Sequence, residues 1–189
     1  MHSLQKKFES KYQHTLENFK QLSLDTDNNE SLCSDTCHKY CNFDTITKQR
    51  CQEQNIDKKT SVDTIIFKGN RVYCVEFKNK TRPIKSRDFK QKMIDSKQTL
   101  LVILEELKEK YIKYEFIFCA VHKGHNDTSQ TILEREQSEY HYHFQSTNRL
   151  QRELEGLNQK EGIFFKVLAD DVDFFRKQFI QKINKNLPC

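Results

Sequence analysis

The chain has 189 residues, of which 35% are hydrophobic and 31% are charged. That length supports one domain with its own core and makes two domains unexpected, so we predict a single domain over residues 1–189. No apolar run approaches the roughly 20 residues of a membrane-spanning helix, and the first residues begin a helical pattern instead of a signal peptide. These features predict an intracellular protein, in the cytoplasm or the nucleus, with no membrane partner.

Charge and composition narrow the function classes further. The net charge of +5 suits a polyanionic partner such as nucleic acid without requiring one. The chain has four glycines, and none is followed by Lys and then Ser or Thr, which excludes a P-loop nucleotide enzyme. Seven cysteines, an odd number, favour free thiols or a bound metal over disulfides in an intracellular chain.

The first predicted element is an amphipathic helix. Apolar residues recur at steps of three and four from Leu4 to Leu22, so residues 4–22 are predicted to form one helix. On a helical wheel Glu9 lies about 90° from the centre of the apolar face, at its border, whereas Glu17 points almost opposite.

Residues 23–60 lose this periodicity and are predicted to form a cysteine-containing insertion, in which Phe43–Thr47 is the strand candidate. The segment contains Cys33, Cys37, Cys41 and Cys51. Four thiols so close together could hold Zn²⁺ or an iron–sulfur cluster, although the close Cys-x-x-Cys pairs typical of structural zinc are missing. The steps of four equally suit a buried helical stripe, so both interpretations stay open.

A β-hairpin is the next prediction. Two β-rich runs, Val62–Phe67 and Val72–Phe77, flank the pair Gly69-Asn70, which is typical of a tight turn. A two-residue turn at that pair makes Lys68 face Arg71, so every cross-strand pair of positions sums to 139.

This register brings charged side chains together. Asp63 lies directly opposite Glu76, and Lys78 points to the same face because strand side chains alternate. Two carboxylates in this position have Cβ atoms about 5 Å apart and repel by roughly 3 kcal/mol at an effective dielectric near 20. A divalent cation between them reverses the sign of that interaction, because hard cations bind carboxylate oxygens. Lys78 would then orient a water or stabilise a charged transition state.

A second interpretation of the same residues is that they are solvated. Edge strands often carry Lys and Glu on their exposed side, where the charges oppose aggregation. Against it, Ile65, Phe67, Val72 and Cys74 are apolar and share the face of Asp63 and Glu76.

Asp63, followed after a short hairpin by Glu76-Phe77-Lys78, resembles the D…(D/E)xK signature of the PD-(D/E)xK nuclease superfamily. The proline of that signature is Val62 here. The resemblance covers the part of the chain from Ser61 to the helix that follows, and it implies a restriction-endonuclease-like α-β-β-β-α-β core.

The resemblance also implies roles for individual residues. Asp63 and Glu76 would bind Mg²⁺ or Mn²⁺, with the backbone carbonyl of Phe77 as a further ligand. Lys78 would assist the water that attacks a phosphodiester in DNA or RNA, so the implied catalytic set is Asp63, Glu76 and Lys78. The superfamily often places an acidic residue on its first helix, for which Glu9 is the candidate, with an ordinary surface glutamate as the alternative.

Two other functions stay open beside the nuclease. The superfamily contains members without turnover, so an inactive scaffold that binds nucleic acid or protein is one alternative, and a protein partner or a homo-oligomer would fit it. The other is a zinc-stabilised adaptor built around Cys33–Cys51.

A basic run follows the hairpin and leads into a helix. Five of residues 78–87 are Lys or Arg, which suits contact with a phosphate backbone and equally a solvated loop. A helix is predicted from Ser86 or Asp88 to about Tyr111, with two lysines at the border of its apolar face. The predicted nucleic-acid-binding residues are Lys80, Arg82, Lys85, Arg87, Lys90 and Lys97.

The remaining elements complete the fold prediction. Glu115–Val121 is an almost unbroken apolar run that predicts a strand buried on both faces. Residues 140–144 alternate like a strand, 149–157 predict a short helix, and a strand at 162–168 precedes a last helix, which gives a C-terminal strand–helix extension at about 148–189. Helices alternating with buried strands predict a single α/β domain with a mixed central β-sheet flanked by helices.

Overall fold

A computed structural model describes residues 4–26, 28–36, 38–79, 84–123, 149–172 and 175. Its helices are α1 (Leu4–Lys11), α2 (Phe19–Leu22), α3 (Phe43–Glu53), α4 (Arg87–Glu106) and α5 (residues 149–161). Its strands are β1 (Leu16–Asn18), β2 (Leu24–Asp25), β3 (Glu30–Ser31), β4 (Lys39–Cys41), β5 (Thr64–Lys68), β6 (Arg71–Lys78), β7 (Glu115–His122) and β8 (Lys166–Asp171), with 3₁₀ turns at Gln13–Thr15 and Tyr111–Lys113.

A four-stranded sheet in the order β5-β6-β7-β8 forms the centre of the described structure. The strand β6 pairs antiparallel with β5 and parallel with β7, which in turn pairs parallel with β8. Helix α4 makes the crossover between β6 and β7. The protein is therefore an α/β protein with a mixed sheet, as the sequence predicted.

The two faces of the sheet bury separate clusters of apolar residues. One face, here called the α4 face, carries Ile65, Val72 and Cys74 and packs against α1, α3, α4 and α5. The opposite face carries Ile66, Tyr73 and Val75, which pack against α2 and β4. Because the strands are buried on both sides, their sequences read as almost continuous apolar runs.

The predicted hairpin is confirmed, and so is its register between β5 and β6. The pairs run from Thr64 opposite Val75 to Lys68 opposite Arg71, and each pair sums to 139. The predicted pair of Asp63 and Glu76 is not among them, because Asp63 lies at a bend where its N–H donates to the Val75 carbonyl. Gly69 adopts φ +60° in the turn, a conformation that a residue without a Cβ reaches without steric cost.

The prediction of one helix over residues 4–22 is wrong. Helix α1 ends at Lys11, and β1 pairs with β4 so that Leu16 lies opposite Cys41. A capping box then begins α2, since the Asn18 side chain accepts from the Gln21 N–H and the Gln21 side chain accepts from the Asn18 N–H. The helical spacing of the apolar residues marked their burial and did not require one continuous helix.

The strand predicted at Phe43–Thr47 is also wrong. These residues form the first part of α3, where Asn42 caps the helix by accepting from the Thr45 N–H at 2.8 Å. The strand of this segment is β4, immediately before Asn42, and Asn42 forms an isolated antiparallel bridge to Thr64.

Other boundaries moved by a few residues. Helix α4 ends at Glu106 instead of near Tyr111, and Lys108 follows it with φ +58°. The strand predicted at 162–168 is observed as β8, at Lys166–Asp171. The helix predicted at 149–157 reaches residue 161. The predicted strand at 140–144 and most of the predicted last helix lie outside the described residues. Within the described part of the chain, no helix is both long and apolar enough to cross a membrane.

Helix α4 offers a direct test of the fold. Leu100 is fully buried and Val102 is 44% exposed, two residues apart on the same helix. Leu100→Ala should lower the free energy of unfolding by about 2–5 kcal/mol because it leaves a cavity in the core, whereas Val102→Ala should change it by less than about 0.5 kcal/mol. Urea unfolding followed by circular dichroism measures both, and equal effects would contradict this placement of α4.

Candidate functional site

Asp63 lies at a bend just before β5, and its hydrogen bonds fix its carboxylate beside β6. Its backbone N–H donates to the Val75 carbonyl at 3.0 Å, and its own carbonyl accepts from the Phe43 N–H at 2.8 Å. The Phe77 N–H donates to Asp63 Oδ2 at 2.6 Å. The carboxylate thus accepts a backbone hydrogen bond from β6, next to Glu76.

Glu76 is a buried carboxylate with two cationic neighbours. Its side chain is 1% exposed, and Oε1 lies 2.7 Å from the Nζ atoms of both Lys78 and Lys92. Within the described residues Oε2 is buried and has no hydrogen-bond partner. Lys78 Nζ also lies 5.5 Å from the centre of the Phe89 ring, a cation–π contact that helps to hold it in place.

The charges of the site perturb each other. Burial, and then the charge of Glu76, raise the pKa of Asp63 well above its ordinary value, although Lys92, the Phe77 N–H and Lys78 act in the opposite direction. Burial opposes the charged form of Lys92, but Glu76 and Asp63 outweigh it and raise the pKa of Lys92. A buried carboxyl and a lysine with perturbed pKa values, such as Asp63 and Lys92, are more frequent at functional sites than in purely structural positions.

Lys92 is the site residue that the sequence prediction missed. Of the two lysines predicted on this helix, Lys90 pairs with Glu161 at 2.5 Å. Lys97 contacts the Ile163 carbonyl and lies 5.3 Å from the centre of the Phe116 ring. Both therefore point towards α5 and the strands beyond β6, not towards Glu76. Asp95 and Ser96 follow Lys92 at helical spacings of three and four, and both are buried in the structure. This run of polar residues along one side of the helix is the sequence signal that could have identified it.

No described contact joins Glu9 to the carboxylate pair. Glu9 Oε1 accepts from Gln5 Nε2 at 2.6 Å, and Gln5 Oε1 accepts from the Phe67 N–H at 2.7 Å. Phe67 lies four residues along β5 from Asp63, so this contact is about 13 Å from the site at the usual rise of a strand.

The cysteines are buried separately. Cys33 belongs to the cluster on the opposite face and Cys41 to the cluster on the α4 face, while Cys51 is buried on α3 and Cys37 lies outside the described residues. Burial raises the pKa of the Cys41 thiol to about 12, which keeps it protonated at neutral pH. Among the residues that the structure describes, no three His, Cys, Asp or Glu side chains are arranged to hold a metal ion.

The metal site that the resemblance implies would use only two side chains, those of Asp63 and Glu76, because its further ligand, the carbonyl of Phe77, is a backbone group. Of the predicted basic residues, Lys85 and Arg87 are exposed just before or at the start of α4, and Lys80 and Arg82 lie outside the described residues.

Comparison of the chain with protein-family models, with curated proteins and with solved structures finds no match.

The raised pKa of Asp63 makes a prediction about stability. A carboxyl whose pKa is higher in the folded than in the unfolded protein makes folding less favourable as pH rises from about the ordinary value of 3.8 through the folded pKa. Asp63→Asn removes the charge and keeps an acceptor oxygen for the Phe77 N–H. At pH 8 without divalent cations we expect a gain of on the order of 1 kcal/mol, because the cost of burying the charge and the repulsion from Glu76 are both lost, and the lost attraction to the lysines offsets part of the gain.

Urea unfolding between pH 3 and pH 8 measures this difference, which should shrink towards pH 3. Asp57→Asn, at an exposed position before the site, is the control and should change stability by less than about 0.5 kcal/mol at every pH. An Asp63→Asn variant that is less stable than the wild type at pH 8 would contradict the electrostatic description.

Proposed function

We propose that this protein is a metal-dependent nuclease that hydrolyses phosphodiester bonds in DNA or RNA at Asp63 and Glu76. One observation carries the proposal: Glu76 is buried beside the Asp63 carboxylate, with Oε2 lacking a partner among the described residues and two lysines on its other oxygen. Burying an incompletely satisfied carboxylate lowers the stability of the folded protein. We therefore expect such a side chain to serve a function.

The donor set suits Mg²⁺ or Mn²⁺. Carboxylate oxygens are the ligands that these hard cations prefer. A cation would use the Oε2 atom of Glu76 and would relieve the repulsion that raises the pKa of Asp63. When bound, such an ion supplies positive charge that polarises the phosphodiester and makes a water more acidic.

The lysines have separate roles in this proposal. Lys78, held by Glu76 and the Phe89 ring, orients the attacking water by hydrogen bonding. Lys92 reaches the site from α4 and stabilises the negative charge that develops on the phosphoryl oxygens. Lys85 and Arg87 are exposed and available to contact the phosphate backbone on either side of the cleaved bond.

The order of elements supports the same proposal. Helix α1, strands β4, β5 and β6, helix α4 and strand β7 follow one another in the α-β-β-β-α-β order that the resemblance implies, with shorter elements and α3 between them. Strand β4 pairs with β1 in a separate two-stranded sheet, and the Asn42–Thr64 bridge joins its end to β5. The strand before the hairpin is short, Lys39–Cys41, which is why the sequence pattern did not reveal it.

A scaffold without turnover is the second candidate, and the two lysines are the observation that favours it. Together they supply two positive charges to Glu76 Oε1, so the cluster is neutralised without a metal ion. In that case Asp63, Glu76, Lys78 and Lys92 would form a structural network, and the exposed basic residues would serve binding alone.

Cleavage assays test the proposed activity. Labelled single- and double-stranded DNA and RNA are incubated with Mg²⁺ or Mn²⁺ and with wild type, Glu76→Ala, Lys78→Ala or Lys92→Ala. We expect metal-dependent cleavage that falls by about 10²–10³-fold or more in each variant, the usual effect of removing a group that stabilises the transition state. Gln98→Ala, at an exposed position on the same helix, is the matched control and should retain activity within about threefold.

The outcomes separate the two candidates. Cleavage that survives Glu76→Ala would show that the activity does not arise at this site. Wild-type protein that binds nucleic acid or a protein but cleaves none of the four substrates would establish the scaffold.

Metal binding is tested without a substrate. Mn²⁺ should raise the melting temperature of the wild type, because a ligand that binds the folded state at 100 times its dissociation constant adds about 2.7 kcal/mol. Glu76→Gln keeps the shape of the side chain and removes its charge, so it should lose most of that increase. Differential scanning calorimetry with and without Mn²⁺ measures the effect, and an equal increase in both proteins would place the ion elsewhere.

A further inference from the structure

We propose that one face of α4, formed by Lys92, Asp95 and Ser96, positions the carboxylate pair and thereby sets the affinity of the site for a divalent cation. The inference rests on the proposed function, since it assumes that Asp63 and Glu76 bind the cation. It assigns positioning roles to Asp95 and Ser96, which lie outside the D…(D/E)xK signature.

The chain that leads to Asp63 has no regular structure but is anchored at successive residues. The backbone N–H and the hydroxyl of Thr60 both donate to Asp95 Oδ2 at 3.0 Å. The Val62 N–H donates to Ser96 Oγ at 2.9 Å. Residues 60 and 62 are therefore both fixed to α4 immediately before Asp63.

Ser61, between them, is anchored from the other side. Its hydroxyl donates to Asp44 Oδ1 in the first turn of α3 at 3.0 Å, and its side chain is 1% exposed. The backbone of Asp63 itself is bonded to Phe43 and Val75. Each residue from 60 to 63 thus has a specific partner, which leaves the Asp63 carboxylate little freedom to move away from Glu76.

The anchors and the site lysine share one side of the helix. Lys92, Asp95 and Ser96 stand at positions i, i+3 and i+4, which are neighbours on a helix surface. Helix α4 therefore holds Glu76 through Lys92 and holds the approach to Asp63 through Asp95 and Ser96. The spacing between the two carboxylates therefore depends in part on the position of α4.

The burial of the polar side chains of Asp95 and Ser96 indicates a role beyond stability. Asp95 is 7% exposed and Ser96 is fully buried, and buried charged networks contribute little net stability compared with apolar packing. The other Asp95 oxygen accepts from Gln91 Nε2 at 2.8 Å, so both oxygens have a partner and the side chain is held in one orientation. Two carboxylates that repel each other would separate without such anchors, and a cation that needs both would bind more weakly.

Mn²⁺ binding to the folded protein, measured by electron paramagnetic resonance of the free ion, tests the proposal. Asp95→Ala and Ser96→Ala should each raise the Mn²⁺ dissociation constant by about tenfold or more. Asp95→Asn retains one acceptor oxygen for Thr60 and should recover most of the wild-type affinity. Urea unfolding of each variant in the absence of metal records its loss of stability separately.

Leu100→Ala is the matched control, because it destabilises the same helix and leaves the hydrogen bonds of Asp95 and Ser96 to residues 60 and 62 in place. It should leave the Mn²⁺ dissociation constant within about twofold of the wild type. Wild-type affinity in both Asp95→Ala and Ser96→Ala would overturn the proposal, and so would an equal weakening in Leu100→Ala, which would show that general stability controls binding. A wild-type protein that binds no Mn²⁺ would instead overturn the metal site of the proposed function, and this inference with it.

Discussion

Glu76 extends its carboxylate into the core of the protein beside the carboxylate of Asp63, and the structure around both is arranged to hold them there. Burial and mutual repulsion both disfavour two ionised carboxylates in this position, as the raised pKa of Asp63 records. The pair persists because the backbone of Asp63 is bonded to Val75 and Phe43 and because two lysines and one backbone N–H face the carboxylates. Removing either lysine would leave buried negative charge unbalanced.

Helix α4 connects the carboxylate pair to the hydrophobic core of the fold. Its apolar side, with Phe89, Met93 and Leu100, packs on the α4 face of the sheet and fixes the rotation of the helix. Its polar side then necessarily presents Lys92 to Glu76 and Asp95 to the segment before Asp63. Core packing and site geometry are therefore not independent, since a helix rotated by one position would bring Gln91 or Met93 to the pair instead of Lys92.

The two lysines balance the charge of the two carboxylates without a metal ion, and the proposed function adds a divalent cation to this cluster. An ammonium group and a divalent cation both satisfy a carboxylate electrostatically, but only the cation can also coordinate a phosphate oxygen and a water. Oε2 of Glu76, which has no partner among the described residues, is the atom that distinguishes a site prepared for a further ligand from a closed salt-bridge network. This atom is why the nuclease is favoured here over the scaffold.

Local rules were sufficient for the hairpin and for the shared face of Glu76 and Lys78. Strand alternation and a two-residue turn determine which side chains of β5 and β6 share a face, so the contact between Glu76 and Lys78 followed from sequence positions alone. The bend at Asp63, where the backbone bonds to Phe43 and Val75, did not follow from them. The apolar run of β7 and the periodic core of α4 were readable for the same reason, because each element buries its own pattern of residues.

Contacts between distant parts of the chain decided the rest. Leu16–Asn18 became a strand because it pairs with Lys39–Cys41, and the helical spacing around it could not reveal that partner. The rotation of α4 on the sheet brings Lys92, and not Lys90 or Lys97, into contact with Glu76. That rotation depends on all the residues packed between the helix and the sheet. The sequence by itself determined the carboxylate pair and its sheet. Only the tertiary structure decided which helix residues reach that pair, because helix orientation is a property of the packed core and not of any single segment.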